Sequence, residues 1–288
     1  MTSVGVIGLG RTGLPVAANL VARGHQVIGF RRRAAGELAQ IGGTLAAGPR
    51  EVAERATTIL LVLPSVAALD DVMTQILPVL GAGHVVVALG SHPIADKQRH
   101  REHCAARGAV LLDGEISGTP AMTAARRAVV LIAGDPVAAE PVVALCRDAS
   151  DHAHYVGAFG AATRLKLVAN HLVAVHTAAA AEAMLLVERS GIDPALAIAV
   201  LGAGAGGSTM WSARAPSMAA RQFVDPAPGP VGMLAHYLAP IEDLAGPTSL
   251  PLFAAAAGLY RAALAQGRGD HDIACVIELL DTRKGQPS

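Results

Sequence analysis

Gly8-Leu9-Gly10-Arg11-Thr12-Gly13 is a GxGxxG whose chemistry would be done by its backbone. It closes a short apolar run, Val4 to Ile7, and opens a segment with helical apolar spacing from Leu14 to Ala22, the setting that makes such a hexapeptide informative. Gly8 allows a tight turn, Gly10 lets the main chain approach a pyrophosphate, and Gly13 lets the helix pack closely on the strand. The amides that open the helix would hold the phosphates. A second strand-like run, Val27 to Phe30, ends in Arg31-Arg32-Arg33, and no acid follows until Glu37. A site selective for NAD places an Asp or Glu there for the ribose hydroxyls, whereas planar, always-charged guanidinium groups suit a 2′-phosphate. NADP(H) is therefore the expected cofactor, with Gly8 to Gly13, Arg31 and Arg32 in contact with it. Further along, TRLKLVANHL sets Lys166 and Asn170 four residues apart, one above the other on one helical face. By itself a lysine in an Ala-, Leu- and Val-rich helix reads as a snorkelling side chain on a solvated face.

The elements that would position these groups alternate. Strands are expected at Val4 to Ile7, Val27 to Phe30, Ile59 to Leu63, Val85 to Leu89, Val110 to Leu112 and Val129 to Ala133. Helical segments between them include Glu51 to Arg55, Ala67 to Leu80 and Ala95 to Arg107. Such alternation predicts a parallel sheet covered on both faces. After Gly160 helices alone are expected, over roughly 161–189, 194–201, 209–221, 231–245, 249–266 and 271–281. The expected fold is α/β: a Rossmann-type doubly wound parallel sheet over 1–160, then an all-α domain over 161–288. A second glycine cluster, Gly202-Ala-Gly-Ala-Gly-Gly207, follows a helical segment instead of a strand. It reads as an interhelical connection that could shape a pocket.

Bulk properties narrow the class of function. The chain has 288 residues, with 23 Lys and Arg against 23 Asp and Glu, so no global field marks a nucleic-acid or anionic-membrane binder. The most apolar region, Leu172 to Val187, is interrupted by His176, Thr177 and Glu182 and suits a buried core helix better than a membrane span. Cys104, Cys146 and Cys275 are scattered and form no CxxC, which argues against a disulfide framework or a zinc site. MTSVGVIGLG has neither a basic n-region nor an apolar stretch ending in a cleavage site. A cytoplasmic location is expected, with no nucleic acid, membrane or metal as partner.

Several ordered motifs together resemble the β-hydroxyacid dehydrogenase family, whose members include 3-hydroxyisobutyrate dehydrogenase and tartronate semialdehyde reductase and whose relatives include 6-phosphogluconate dehydrogenase. The resemblance covers nearly the whole chain. VGVIGLGRTGLPVAANLVARGH is similar to the family's opening signature, and Leu63-Pro64 and Ser91 with Pro93 fall on later positions of its pattern. Asp113-Gly-Glu-Ile-Ser-Gly118 is similar to Asp-Ala-Pro-Val-Ser-Gly. Gly157-Ala-Phe-Gly160 followed by Lys166-Leu-Val-Ala-Asn170 resembles Lys-x-x-Asn-Asn, and Gly267-Arg-Gly-Asp-His-Asp272 a closing Gly-x-Gly-x-x-Asp.

The resemblance implies a hydride transfer between NADP(H) and a small 3-hydroxy acid or semialdehyde. It places Lys166 on the catalytic lysine and Asn170 on the asparagine that helps hold substrate. Ser117 and Gly118, with Thr119 beside them, fall on the substrate-carboxylate loop, and Leu63, Pro64 and Ser91 on positions lining the cofactor. It also implies a homodimer or homotetramer. Five positions depart from the pattern. His236-Tyr237-Leu238 stands for Lys-Asp-Leu, leaving His236 as a weaker, pH-dependent group facing the cofactor. Glu115 stands for proline, His92 for an apolar residue, and Thr119 for glycine. Two other readings remain open. An imine reductase shares this architecture but typically replaces the lysine, and a non-catalytic NADP(H)-binding module would be expected to lose the Lys166 and Asn170 pair.

Overall fold

The computed structural model describes residues 3–32, 36–224 and 227–281. The chain forms two compact units, residues 1–166 and 167–288, a division six residues beyond the expected 160/161 boundary. Both the third arginine after the second strand, Arg33, and the last seven residues of the expected helical domain lie outside the described residues.

The first unit is built on a sheet with strands β1 Ser3–Ile7, β2 Gln26–Phe30, β3 Thr44–Leu45, β4 Thr58–Leu61, β5 Val85–Ala88, β6 Val110–Ser117, β7 Val129–Ala133 and β8 His152–Tyr155. Among the described residues their order is β3-β2-β1-β4-β5-β6-β7-β8. From β3 through β6 every neighbouring pair is parallel, the doubly wound arrangement in which the order reverses between β1 and β4. The apolar runs of β1, β4 and β5 are long enough to feed both faces. Val4, Val6, Leu60 and Val87 pack on one side with Val16 and Leu20, while Ile7, Ile59, Leu61 and Val86 pack on the other with Val52, Leu69 and Met73. Burial on both faces explains why these strands read as continuous apolar runs.

The register matters for function. Ile7 is paired with Phe30 and with Leu61, and Leu61 with Ala88, so β1, β2, β4 and β5 end abreast. Ala88 is paired with Asp113, yet β6 runs on to Ser117. The last four residues of β6 therefore overshoot the carboxyl edge of the parallel strands and pair with β7.

The expected doubly wound parallel sheet is present, with one antiparallel pair: β7 runs antiparallel to β6, and β8 runs parallel to β7. The connection from Ser117 to Val129 holds a five-residue helix, Pro120–Ala124, too little chain for the crossover a parallel neighbour requires. The sequence reading also ended the fifth strand at Leu112, and it passed over β3, β8 and the helix Pro136–Ala149.

The second unit is helical. The helix Ala161–Arg189 begins in the first unit and continues through the boundary. Beyond the boundary its buried residues, Leu167, Asn170, Ala174, Thr177, Ala180, Ala181, Met184 and Val187, fall mostly three or four positions apart, the period of a single inward stripe. It is long and apolar enough to cross a membrane by length and composition, and 39% of its most apolar window is buried inside the protein. Around the stripe pack Trp211, Met218, Phe253 and Tyr260, with the Tyr260 hydroxyl donating to the Ala174 carbonyl at 3.0 Å. The helix expected over 231–245 is two, Val231–Ala235 and Leu238–Ala245, parted at His236-Tyr237.

Candidate active site

The glycine turn sits where β1 ends. Gly8 donates its amide to the Phe30 carbonyl at 2.9 Å, tying the turn to the end of β2. Its φ of +103° suits glycine, and a Cβ there would meet the Val62 carbonyl oxygen at 2.1 Å. A Cβ on Gly13 would lie 2.0 Å from the Gly8 carbonyl oxygen, whereas one on Gly10 would meet no atom within 4 Å. Two glycines thus close the packing and the third faces open space, as a pyrophosphate cradle requires. Thr12 places no side-chain cap on the helix Gly13–Ala22, whose first turn carries no acid. Its amide end is suited to an anion. Arg11 is exposed at the turn. Leu9 is fully buried in the core, so only its backbone faces outward. A dinucleotide fits these residues.

Arg31 and Arg32 follow Phe30 directly, and both are exposed. Leu63 and Pro64 follow β4 at the same edge, where the Val62 amide donates to the Ile7 carbonyl at 2.8 Å. Ser91 follows β5, after Leu89 bonds the Leu61 carbonyl at 2.9 Å. The sheet therefore gathers the glycine turn, the arginines, Leu63, Pro64 and Ser91 along one carboxyl edge, the region where doubly wound sheets take their ligands.

The overshooting end of β6 supplies a different chemistry. Side chains alternate along a strand. Leu112 and Ile116 turn to the apolar cluster around Val87 and Leu89, while Asp113, Glu115 and Ser117 share the other face. Lys97, from the helix Ile94–Ala105, reaches that face fully buried. Its Nζ donates to Asp113 Oδ1 at 2.8 Å, Thr163 Oγ1 at 2.9 Å, the Gly114 carbonyl at 3.1 Å and Glu115 Oε1 at 3.2 Å. Thr163 in turn donates its hydroxyl to Asp113 Oδ1 at 2.7 Å and its amide to Oδ2 at 3.0 Å. Ser91 Oγ donates to Glu115 Oε2 at 2.6 Å. Burial pushes the Glu115 carboxyl above its ordinary range, against the pull of Lys97, the Ser91 hydrogen bond and Lys166.

Lys166 stands one turn beyond Thr163, and its Nζ donates to Ser117 Oγ at 3.4 Å. Burial lowers its pKa, because a desolvated ammonium is disfavoured, while the Glu115 charge acts in the opposite sense. Asn170 lies one turn further along the helix. It is 8% exposed, and its Nδ2 is buried with no hydrogen-bond partner among the described residues. A buried donor in that condition suits an oxygen of a bound molecule.

The remaining expected residues take other places. Gly118, at φ +152°, has the Ala128 Cβ 3.0 Å from where its own Cβ would stand. The Thr119 hydroxyl accepts the Met122 amide at 3.2 Å and caps the helix Pro120–Ala124. His236 is exposed at the end of the helix Val231–Ala235, in the second unit. The second glycine cluster contributes Gly206 and Gly207 to a cavity of about 220 Å³ also lined by His176, Ala180, Ser208 and Trp211; none of the expected site residues lines it.

Sequence reasoning missed Lys97 and Thr163 and assigned no role to Asp113. One signal was present. The inward positions of the helix Ile94–Ala105 are Lys97, His100 and Cys104, a stripe that lacks large aliphatic side chains and so needs polar partners across from it.

Two family models match the chain. Residues 3–157 match the NAD binding domain of 6-phosphogluconate dehydrogenase, and residues 160–280 the NAD-binding of NADP-dependent 3-hydroxyisobutyrate dehydrogenase. The L-threonate dehydrogenase of Cupriavidus necator is 29% identical over 289 residues, covering 96% of each chain. The NAD-dependent L-serine dehydrogenase of Pseudomonas aeruginosa is 27% identical, covering 99% of this chain and 100% of its own. Among solved structures, Mycobacterium tuberculosis 3-hydroxyisobutyrate dehydrogenase with L-serine superposes with a TM-score of 0.85 at 25% identity, over 98% of this chain and 100% of that one.

Proposed function

The chain belongs to the β-hydroxyacid dehydrogenase family, and from that membership we propose that it transfers a hydride between NADP(H) and a small 3-hydroxy acid or its semialdehyde, with Lys166 carrying the proton. The observation that carries this reading is the half-buried Lys166 ammonium at 3.4 Å from Ser117, at the carboxyl edge that also holds the glycine turn. When bound, the dinucleotide supplies the hydride for reduction and takes it up in oxidation. The residues of the chain do the rest. As a carbonyl oxygen gains charge, the Lys166 ammonium donates a proton to it; in the other direction the neutral amine accepts the hydroxyl proton. Asn170 offers its buried amide hydrogen to the same oxygen or a neighbouring hydroxyl. Ser117, with the Gly118 backbone and Thr119 beside it, receives the substrate carboxylate and turns the carbonyl toward Lys166.

Gly8 to Gly13 would cradle the pyrophosphate, Leu63, Pro64 and Ser91 would flank the cofactor, and His236 would supply a weak donor in place of the family's lysine. Arg31 and Arg32 favour the 2′-phosphate of NADP(H), and no acid stands at the end of β2 to favour NAD. The exposed apolar side chains Val168, Leu172, Leu186, Leu196 and Val200 of the second unit support assembly as a homodimer or homotetramer. The three free, buried cysteines suit a reducing cytoplasm.

The test is turnover of purified protein with NADPH and with NADH against short semialdehydes, 2-keto acids and cyclic imines. Semialdehyde reduction with NADPH is expected. Lys166→Ala should lower kcat by about 10²–10⁴ while NADPH still binds, as read by its fluorescence. Wild-type turnover in that variant removes Lys166 from the mechanism, and turnover of cyclic imines alone replaces the substrate class.

A further inference from the structure

Glu115 is a buried ionisable group that the reaction above leaves without a task, at a position where the family pattern has proline. It is 1% exposed, shares a strand face with Ser117 two residues on, and is held from both sides by Lys97 and Ser91. The charged groups here are two buried anions, Asp113 and Glu115, the buried cation Lys97, and the half-buried Lys166. Lys97 touches both carboxylates, yet one positive charge neutralises only one of them. Asp113 also receives two hydrogen bonds from Thr163 and stands two residues back along β6, away from Ser117. The carboxylate that Lys97 leaves unbalanced is therefore Glu115, two residues from the Ser117 that Lys166 touches; burial opposes its charge, while Lys97, the Ser91 hydrogen bond and Lys166 favour it. Among the described residues, His92, in the loop after β5, is a further titratable group beside Lys97; burial pushes its pKa down to about 4 and leaves it uncharged near neutrality, and Asp96 and His100 on the Lys97 helix also act on it. Across the sheet, β7 places Leu131 opposite Glu115.

We propose that Glu115 is a positioning residue whose charge, anchored by Lys97 and Ser91, holds Lys166 in its ammonium form and so biases the site toward protonating a carbonyl oxygen, the reducing direction. Two opposing influences act on Lys166. Desolvation drives the proton off, and the Glu115 carboxylate keeps it on. Without the carboxylate the neutral amine gains, which suits removal of a proton from an alcohol and works against reduction. The inference rests on Lys166 being the proton carrier, but its test does not.

The experiment follows Lys166 in the whole protein labelled with ¹³C-lysine, by the pH titration of its side-chain carbon resonance, assigned by its loss in Lys166→Arg. Glu115→Gln keeps partners for Lys97 and Ser91 and removes the charge. Its Lys166 midpoint is expected to fall by about one pH unit, and the ratio of reductive to oxidative kcat at fixed pH by about tenfold. Glu115→Asp, which restores a carboxylate, should recover part of both shifts. A Lys166 midpoint equal to wild type in folded Glu115→Gln overturns the proposal. Where that variant does not fold, Glu115→Ala gives the same reading with the same two outcomes. A midpoint that falls in a protein turning over no hydroxy acid or semialdehyde sustains the electrostatic role and removes the proposed function. An unmoved midpoint in an active, Lys166-dependent enzyme does the reverse.

Discussion

The turn after β1 and the far end of β6 stand on the same carboxyl edge of one sheet and are built on opposite principles. At the turn, side chains are removed. Gly8 and Gly13 admit no Cβ against their neighbours, Gly10 faces open space, and what remains to act is a row of amides. At β6, charged side chains are concentrated. Lys97, Asp113 and Glu115 are all but completely buried and satisfied by one another, by Ser91 and by Thr163. The first arrangement needs the right backbone and tolerates little bulk. The second needs a closed set of partners and tolerates no missing member, since a buried charge stripped of its counter-charge loses far more than the pair contributes.

Breaking the second arrangement should therefore do the greater harm to stability. Lys97→Met keeps the length of the side chain and strands two carboxylates. A loss of about 3–5 kcal/mol is expected in urea unfolding at pH 7, and it should shrink toward acid pH as the carboxylates protonate. A variant of wild-type stability would mean that the cluster is hydrated and contributes little. Next in size is a pH effect. His92 has a folded pKa of about 4, below its ordinary 6.5, so the unfolded chain binds the extra proton between those values. Its contribution is complete above pH 6.5 and is lost as the pH falls toward 4. That loss should reach up to about 3 kcal/mol and be flattened in His92→Gln; identical acid limbs in the two proteins would assign it elsewhere. The smallest effect concerns the turn. Replacing Arg31 and Arg32 by alanine leaves the glycines intact, so NADPH affinity should fall about 10- to 100-fold while NADH affinity changes little. Equal losses for both cofactors would make the arginines a solvated patch.

The same contrast decides what could be read from sequence. The turn was legible because backbone demands show as glycines: the positions at 8, 10 and 13 carry their reasons in their identities. The extent of β6 was not. Asp113-Gly114-Glu115 reads as a turn, and a strand survives there because Lys97, sixteen residues earlier in the chain, neutralises what local propensity cannot. Pro136–Ala149 escaped notice for a related reason: Pro141 inside it reads as a breaker, although Asp135 caps the helix by accepting the Ala138 amide at 2.9 Å. β8, with exposed histidines at 152 and 154 and a single buried residue, Ala153, carries almost no apolar pattern. The helix Ala161–Arg189 was legible, and its bounds matched, because a long Ala-, Leu- and Val-rich run shows in the sequence without help from distant partners. Lys166 and Asn170 were noticed through their spacing; that Ser117 meets the lysine depends on β6 overshooting its neighbours, which no local window contains.

The double hydrogen bond from Thr163 to Asp113 has a consequence for where the lysine points. An α-helix turns by about 100° per residue, so a change of one residue in how the helix meets the sheet would swing Lys166 a quarter-turn or more away from Ser117. Asp113 grips the hydroxyl and the amide of Thr163 together, three residues before the lysine, and so sets the angular phase of the helix from the sheet side. The ammonium is thereby addressed by a strand residue within one turn, and not by the length or ending of the 29-residue helix that carries it. Lengthening or trimming that helix at its far end should leave the direction of Lys166 untouched, while a single residue inserted between Thr163 and Lys166 should rotate it out of register.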